Sequence, residues 1–209
     1  MTGRIAAAAA VLYAARRYYR NWGTTKEDCQ LTLPGDELTH RPSVRSTEGI
    51  GIDAPAPAVW PWVIRVGRAP HGLRFHHRNT HQAGPEGRPL APGDTVAVAP
   101  RGWPGRRETW SLTVDRVVDA DTLVLRGSPP DFPWEAVWSF HLLPRGDDRC
   151  RLLARTRAGL RHPGEVLLVE MAGPVVALAT RRLLRQIKCA AERQVTPAAQ
   201  PEHAALPDR

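Results

Sequence analysis

The stretch EAVWSFHLLPRGDDRCRLLARTR, residues 135–157, decides the fold. In its first half Ala136, Trp138, Phe140 and Leu142 share one face of an extended chain, and Ser139 and His141 share the other. Beyond the turn residues Pro144-Arg145-Gly146-Asp147-Asp148, Cys150, Leu152, Ala154 and Thr156 face one way and Arg151, Arg155 and Arg157 the other. Such alternation on both sides of a short polar turn specifies an antiparallel hairpin with one buried face and one wet face.

Working upstream, the same period of two places strands at Thr122–Arg126, Glu108–Val118 and Asp94–Ala99, with Asp119-Ala120-Asp121 as a tight connection between the first two. From Arg68 to Pro92 periodicity is lost among histidines, prolines and glycines, which reads as a long loop. Before it, Val59, Trp62, Val63 and Val66 form an i, i+3, i+4, i+7 stripe, with Pro57 suited to the helix's first turn and Gly67 ending it. A short strand, Thr47–Asp53, precedes this helix. Downstream, the chain from Glu165 to Glu192 is helical, restarting at Gly173-Pro174. Val175, Leu178, Ala179, Arg182 or Leu183, and Ile187 can share its buried face, with Arg181, Arg185 and Lys188 towards solvent. One helix cannot cover both faces of a sheet, so the expected fold is α+β: a curved antiparallel sheet wrapped around a long C-terminal helix.

The ends differ from this middle. Residues 1–45 read as an Ala- and Arg-rich helix followed by a polar linker, 46–194 as the domain, and 195–209 as a disordered tail. The apolar run Ile5–Ala15 is shorter than the roughly 20 residues of a membrane span. The formal charge is +8 over 209 residues, but Lys26 and Lys188 are the only lysines. Scattered arginines with abundant Ala, Pro and Gly reflect GC-rich coding, so nucleic-acid binding is not expected. Three cysteines without a CxxC fit a reducing cytoplasm.

The order strand, helix, long loop, strands, long helix is the helix-grip order. IGIDAPAPAVWPWVIRVG (50–67), with its Asp-Ala-Pro and Val-Trp, resembles the first strand and helix of START-like proteins of the SRPBCC superfamily. LPGDEL (33–38), LAPGDTVAVAP (90–100), VWSFHLLP (137–144), CRLLARTRA (150–158) and RRLLRQIKCAAE (181–192) resemble stretches of its bacterial polyketide cyclase and dehydrase type. The resemblance implies a cavity for an apolar or amphipathic molecule, lipid- or polyketide-like, between sheet and long helix. Two departures touch its expected mouth: His71–His81 replaces a Tyr- and Trp-rich segment, and Thr180 stands where a glutamate is usual.

The candidate wall residues are Trp62, Val66, Trp110, Trp138, Phe140, Leu178 and Arg116. An indole needs a partner for its N–H, which suits a pocket wall as well as a core; Trp60 fits the core reading better. A guanidinium at Arg116, on the inner face if alternation continues from Val114, could hold an anionic oxygen, whereas at a strand end it would sit in solvent. His77 and His81 lie four apart, with His71 and His76 near, but no cysteine or aspartate completes a metal site; a solvent-facing basic loop explains them, and neither metal nor cofactor is expected. Cys150 has no adjacent base and reads as a small buried hydrophobe. No catalytic set emerges. The first expectation is a cytoplasmic carrier or sensor of an apolar small molecule, the second a cyclase- or dehydrase-like enzyme. The third is a protein in peripheral contact with a membrane surface through its N-terminal helix.

Overall fold

The computed structural model describes residues 20–39, 42–67, 90–97, 110–130, 132, 134–160 and 163–195, with side chains at Glu165 and from Gly173 onward in the last segment. Most of the expected N-terminal helix, the histidine segment His71–His81 and the tail from residue 196 lie outside these residues.

In chain order the elements are helix α1 (Lys26–Gln30), a 3-10 turn (Asp36–Leu38), β1 (Val44–Ile52) and α2 (Ala56–Val63), which tightens into 3-10 geometry over Ile64–Gly67. There follow β2 (Thr95–Ala97), β3 (Ser111–Val118), β4 (Thr122–Gly127), β5 (Glu135–Pro144), β6 (Cys150–Gly159) and α3 (Pro163–Val195). The sheet order is β1-β6-β5-β4-β3-β2, every neighbour antiparallel. Strands β2 to β6 thus pair in sequence order, and β1 closes against β6 from the other end of the domain. This is the α+β arrangement expected from the alternation. The final helix is continuous through Gly173-Pro174 rather than restarting there.

The inner face carries Ile52, Leu142, Leu152, Phe140, Leu123 and Leu125, packed with α2 and with Leu183, Leu184 and Ile187 of α3 into one apolar cluster. The seam of α3 is Ala177, Thr180, Leu184, Ile187 and Ala191, spaced alternately three and four apart as a straight buried stripe requires. Two of the sequence assignments are therefore corrected. Val175 and Leu178, each 58% exposed, lie on the opposite stripe with Arg182 and Arg185, and Arg181 is buried. The buried stripe thus begins with the small Ala177 and Thr180 and continues with Leu184 and Ile187, while Val175 and Leu178 face out.

The outer face is not wet. Residues 24–39, read from sequence as a polar linker, lie across it as a strap. Thr25 and Asp28 form a capping box on α1, with the Asp28 N–H donating to Thr25 Oγ1 (3.2 Å) and the Thr25 N–H to Asp28 Oδ2 (2.9 Å). The same Oδ2 accepts from Arg151 Nε at 2.9 Å. Arg155, with its side chain only 4% exposed, donates to Asp36 Oδ2 (2.7 Å), the carbonyls of Leu31 (2.7 Å) and Asp28 (2.8 Å), and Thr47 Oγ1 (3.2 Å). Arg157 pairs with Asp36 Oδ1 at 2.7 Å. Gly35 (φ 93°) makes the close passage: a side chain there would press on Val124 of β4 as well as straining the backbone. Beneath the strap, buried His141 bonds Ser139 Oγ (2.9 Å) and Thr122 Oγ1 (3.2 Å). Burial, and then the Arg155 cation, hold its pKa down at about 4, so the imidazole is neutral.

Strand β1 is an edge, and residues 20–24 blunt it. Trp22 O accepts from the Gly49 N–H (3.0 Å) and Arg20 O from Ser46 Oγ (2.9 Å). Gly23 (φ 69°) passes so close that any Cβ would collide with the Gly49 carbonyl.

Candidate functional site

The pairing register divides the interior between sheet and α3 into two halves. At one end, level with Ile52, Leu142 and Leu152, the bulky cluster fills the space against Leu184 and Ile187. Towards the other end the inner-face positions shrink. Val44, Ala158, Ala136 and Gly127 lie across successive strands in one row, and Ser46, Thr156 and Trp138 in the next. The corresponding part of α3 offers Ala177 and Thr180. Ala136, Ala158 and Ala177 are buried yet stand outside the contiguous apolar cluster. Aromatic rings border this half. Trp138 packs against Phe140 with centroids 4.7 Å apart, and Trp110, Phe132 and Trp134 form a mutual cluster at 5.5–6.1 Å.

A buried charge marks the boundary between the halves. Glu48, 2% exposed, lies opposite Ala154 on the inner face of β1, and its Oε1 stands 3.6 Å from Arg181 Nε of α3. Burial drives the Glu48 pKa up to about 8, against the opposing pull of the Arg181 cation. The Arg181 guanidinium sits 5.2 Å from the ring centre of Trp22, with Arg185 at 5.1 Å. The carboxyl therefore exchanges its proton near neutrality in a site closed to bulk water.

The residues singled out from sequence do not all converge here. Trp138 and Phe140 stand side by side on the inner face, and Trp110 belongs to the bordering aromatic cluster. Val66 is packed into the apolar cluster. Trp62 lies at the far end of α3: its indole N–H donates to Gln194 Oε1 (3.1 Å) and the Arg65 guanidinium stacks 4.6 Å from its ring centre. Leu178 points outward, for the reason given above. Arg116 is on the outer face, because a bulge between Val114 and Arg116 breaks the alternation: Val114 pairs with Leu125, but Arg116 pairs with Val124. It bonds strap residue Glu37 at 3.1 Å. Cys150 is buried, and burial pushes its pKa to about 11, as an inert core thiol requires. Glu48 was missed, although its place two residues before Ile50 and four before Ile52 puts it on their face.

A surface groove of about 330 Å³ lies at the opposite, bulky end, where Arg145, Arg149 and Arg151 meet Asp53. Its cations are largely answered, Arg149 by Asp53 (3.5 Å) and Asp148 (3.7 Å), and Arg151 by Asp28 (2.7 Å).

A curved antiparallel sheet gripping a long C-terminal helix is the helix-grip fold. No family model matches the sequence, and no curated protein does. Among solved structures, the chain is similar to the di-domain ARO/CYC StfQ from the steffimycin biosynthetic pathway, at TM-score 0.52 and 13% identity. That alignment covers 73% of this chain and 51% of StfQ, so the chain spans about half the length of that protein. Norcoclaurine synthase from Thalictrum flavum aligns at TM-score 0.49 and 15% identity, over 73% of this chain and 96% of its own. The Zhui aromatase/cyclase from Streptomyces aligns at 0.44 and 18%, over 75% and 98%. Among the described residues, no helix is long and apolar enough to cross a membrane.

Proposed function

We propose that this chain binds one apolar or amphipathic small molecule, lipid- or polyketide-like, between the sheet and α3, as a carrier or sensor. The observation that carries the reading is the divided interior: bulky side chains fill one half, while Ala136, Thr156, Ala158, Ala177 and Thr180 line the other beside Trp138. Apolar walls with few polar groups are the usual make-up of small-molecule sites. Cyclase-like catalysis is the second reading. What favours it is Glu48, a buried carboxyl able to give or take a proton near neutral pH.

Filling the small-residue half tests the first reading. In Ala158→Phe the new ring occupies space that the wild type leaves to the ligand. The fluorescent fatty acid cis-parinaric acid is expected to bind the wild type one to one, with energy transfer from tryptophan. Ala158→Phe should bind it at least ~10-fold more weakly with its thermal midpoint preserved, since overpacking an already full core would instead cost roughly 1–3 kcal/mol. Equal affinity in the two proteins, or no binding by the wild type, would contradict the reading.

A further inference from the structure

Glu48 is an expensive residue to place where it is. An ionisable carboxyl buried between sheet and helix is tolerated only when its lone pairs are used. Here Oε1 is shut off from solvent and accepts no hydrogen bond. Arg181 Nε, at 3.6 Å, is close enough for Coulomb attraction but too far for a good hydrogen bond. The same guanidinium lies over the face of Trp22. The carboxyl's position is also specific. Its row across the sheet, Glu48-Ala154-Phe140, adjoins the row Ser46-Thr156-Trp138. On α3, Arg181 directly follows seam residue Thr180. An acceptor thus stands at the inner limit of the small-residue half, where the deepest end of an elongated molecule would arrive.

We propose that Glu48 receives a hydroxyl of the bound molecule, so that the preferred ligands are apolar compounds carrying a hydrogen-bond-donating hydroxyl at their deeply inserted end. This rests on the binding site proposed above and adds its ligand class. A hydroxyl both donates and accepts, and so matches the carboxyl with or without its proton. An ether or ester of the same shape has no proton to offer. Once Glu48 has lost its proton, a ligand carboxylate at that end would bring a second negative charge against it in a poorly screened interior, so a fatty acid such as cis-parinaric acid would enter methyl end first.

The test displaces cis-parinaric acid from the full chain at pH 9, above the Glu48 pKa of about 8 so that the carboxylate can only accept, with three competitors of equal chain length: 1-dodecanol, its methyl ether and dodecanoate. Dodecanol is expected to compete at ~10-fold lower concentration than the ether, the usual scale for one buried hydrogen bond to an ionisable group, and better than dodecanoate. In the double variant Glu48→Leu with Arg181→Met, which removes both members of the pair, alcohol and ether should become equal within about twofold. Equal competition by alcohol and ether in the wild type, or a preference for dodecanoate, would overturn the assignment to Glu48 while leaving the binding site intact. Retained preference for the alcohol in the double variant would overturn it too. Failure of every compound to displace the probe would instead count against the binding site itself. The wild-type series decides the matter even if the double variant does not fold.

Discussion

Arg155→Met is expected to lower the unfolding free energy by about 3–5 kcal/mol, the usual result of removing one member of a buried, fully bonded charge network. The guanidinium holds four acceptors at once: the Asp36 carboxylate, the Leu31 and Asp28 carbonyls and the Thr47 hydroxyl. Methionine preserves the stem volume but leaves those acceptors facing a thioether. Asp36 keeps Arg157 and the Leu33 N–H, so the loss stops short of unfolding the strap outright. Urea titration gives the magnitude, and amide exchange across residues 24–38 locates it, with protection falling there before it falls in β5. A loss below 1 kcal/mol, or unchanged protection of the strap, would mean that apolar contacts such as Leu33 fasten it instead.

The stability of the wild type should fall as pH rises from 6.5 to 8, by on the order of 2 kcal/mol, and Glu48→Gln should remove that slope. The sign follows from where the proton is held. In the folded chain Glu48 keeps its proton up to about pH 8, whereas an ordinary glutamate releases it near 4.5. The native state therefore binds more protons than the unfolded state between those values. Its extra stability is complete below 4.5 and is lost as pH climbs towards 8. The charged group facing this carboxyl is Arg181 from α3, and Arg185 lies over the same Trp22 ring as Arg181. His141 acts in the opposite sense. Its folded pKa of about 4 against an ordinary 6.5 makes stability decline as pH falls from 6.5 to 4. Its contribution is the same in wild type and Glu48→Gln, so the difference between the two profiles isolates Glu48. Parallel pH profiles for wild type and Glu48→Gln would show that Glu48 is charged in the native protein.

The alternation in β5 and β6 was legible because each side chain's face is a local, period-two property, and Trp138, Phe140, Leu152 and Ala154 stand where it puts them. The opposite face was misread for a non-local reason. Arginines at alternate positions look solvated until Asp36, 119 residues from Arg155, arrives to cover them. Local pattern cannot reveal a partner that far along the chain. Arg116 was misplaced by one extra residue in β3, since a bulge transfers everything beyond it to the other face. On α3, bulk misled: Val175 and Leu178 are large and apolar but lie on the exposed stripe, while the smaller Ala177 and Thr180 lie on the buried one. Glu48 stood in plain view at the right parity, but a glutamate in a strand reads as surface unless its helix partner is known.

The most direct measurement is native mass spectrometry of the full chain purified gently from its own host, followed by extraction and identification of whatever it retains. The expected result is one small apolar molecule per chain, bearing a hydroxyl, absent from Ala158→Phe prepared in parallel. An unliganded wild-type chain that also takes up neither cis-parinaric acid nor dodecanol would contradict a binding site between the sheet and α3.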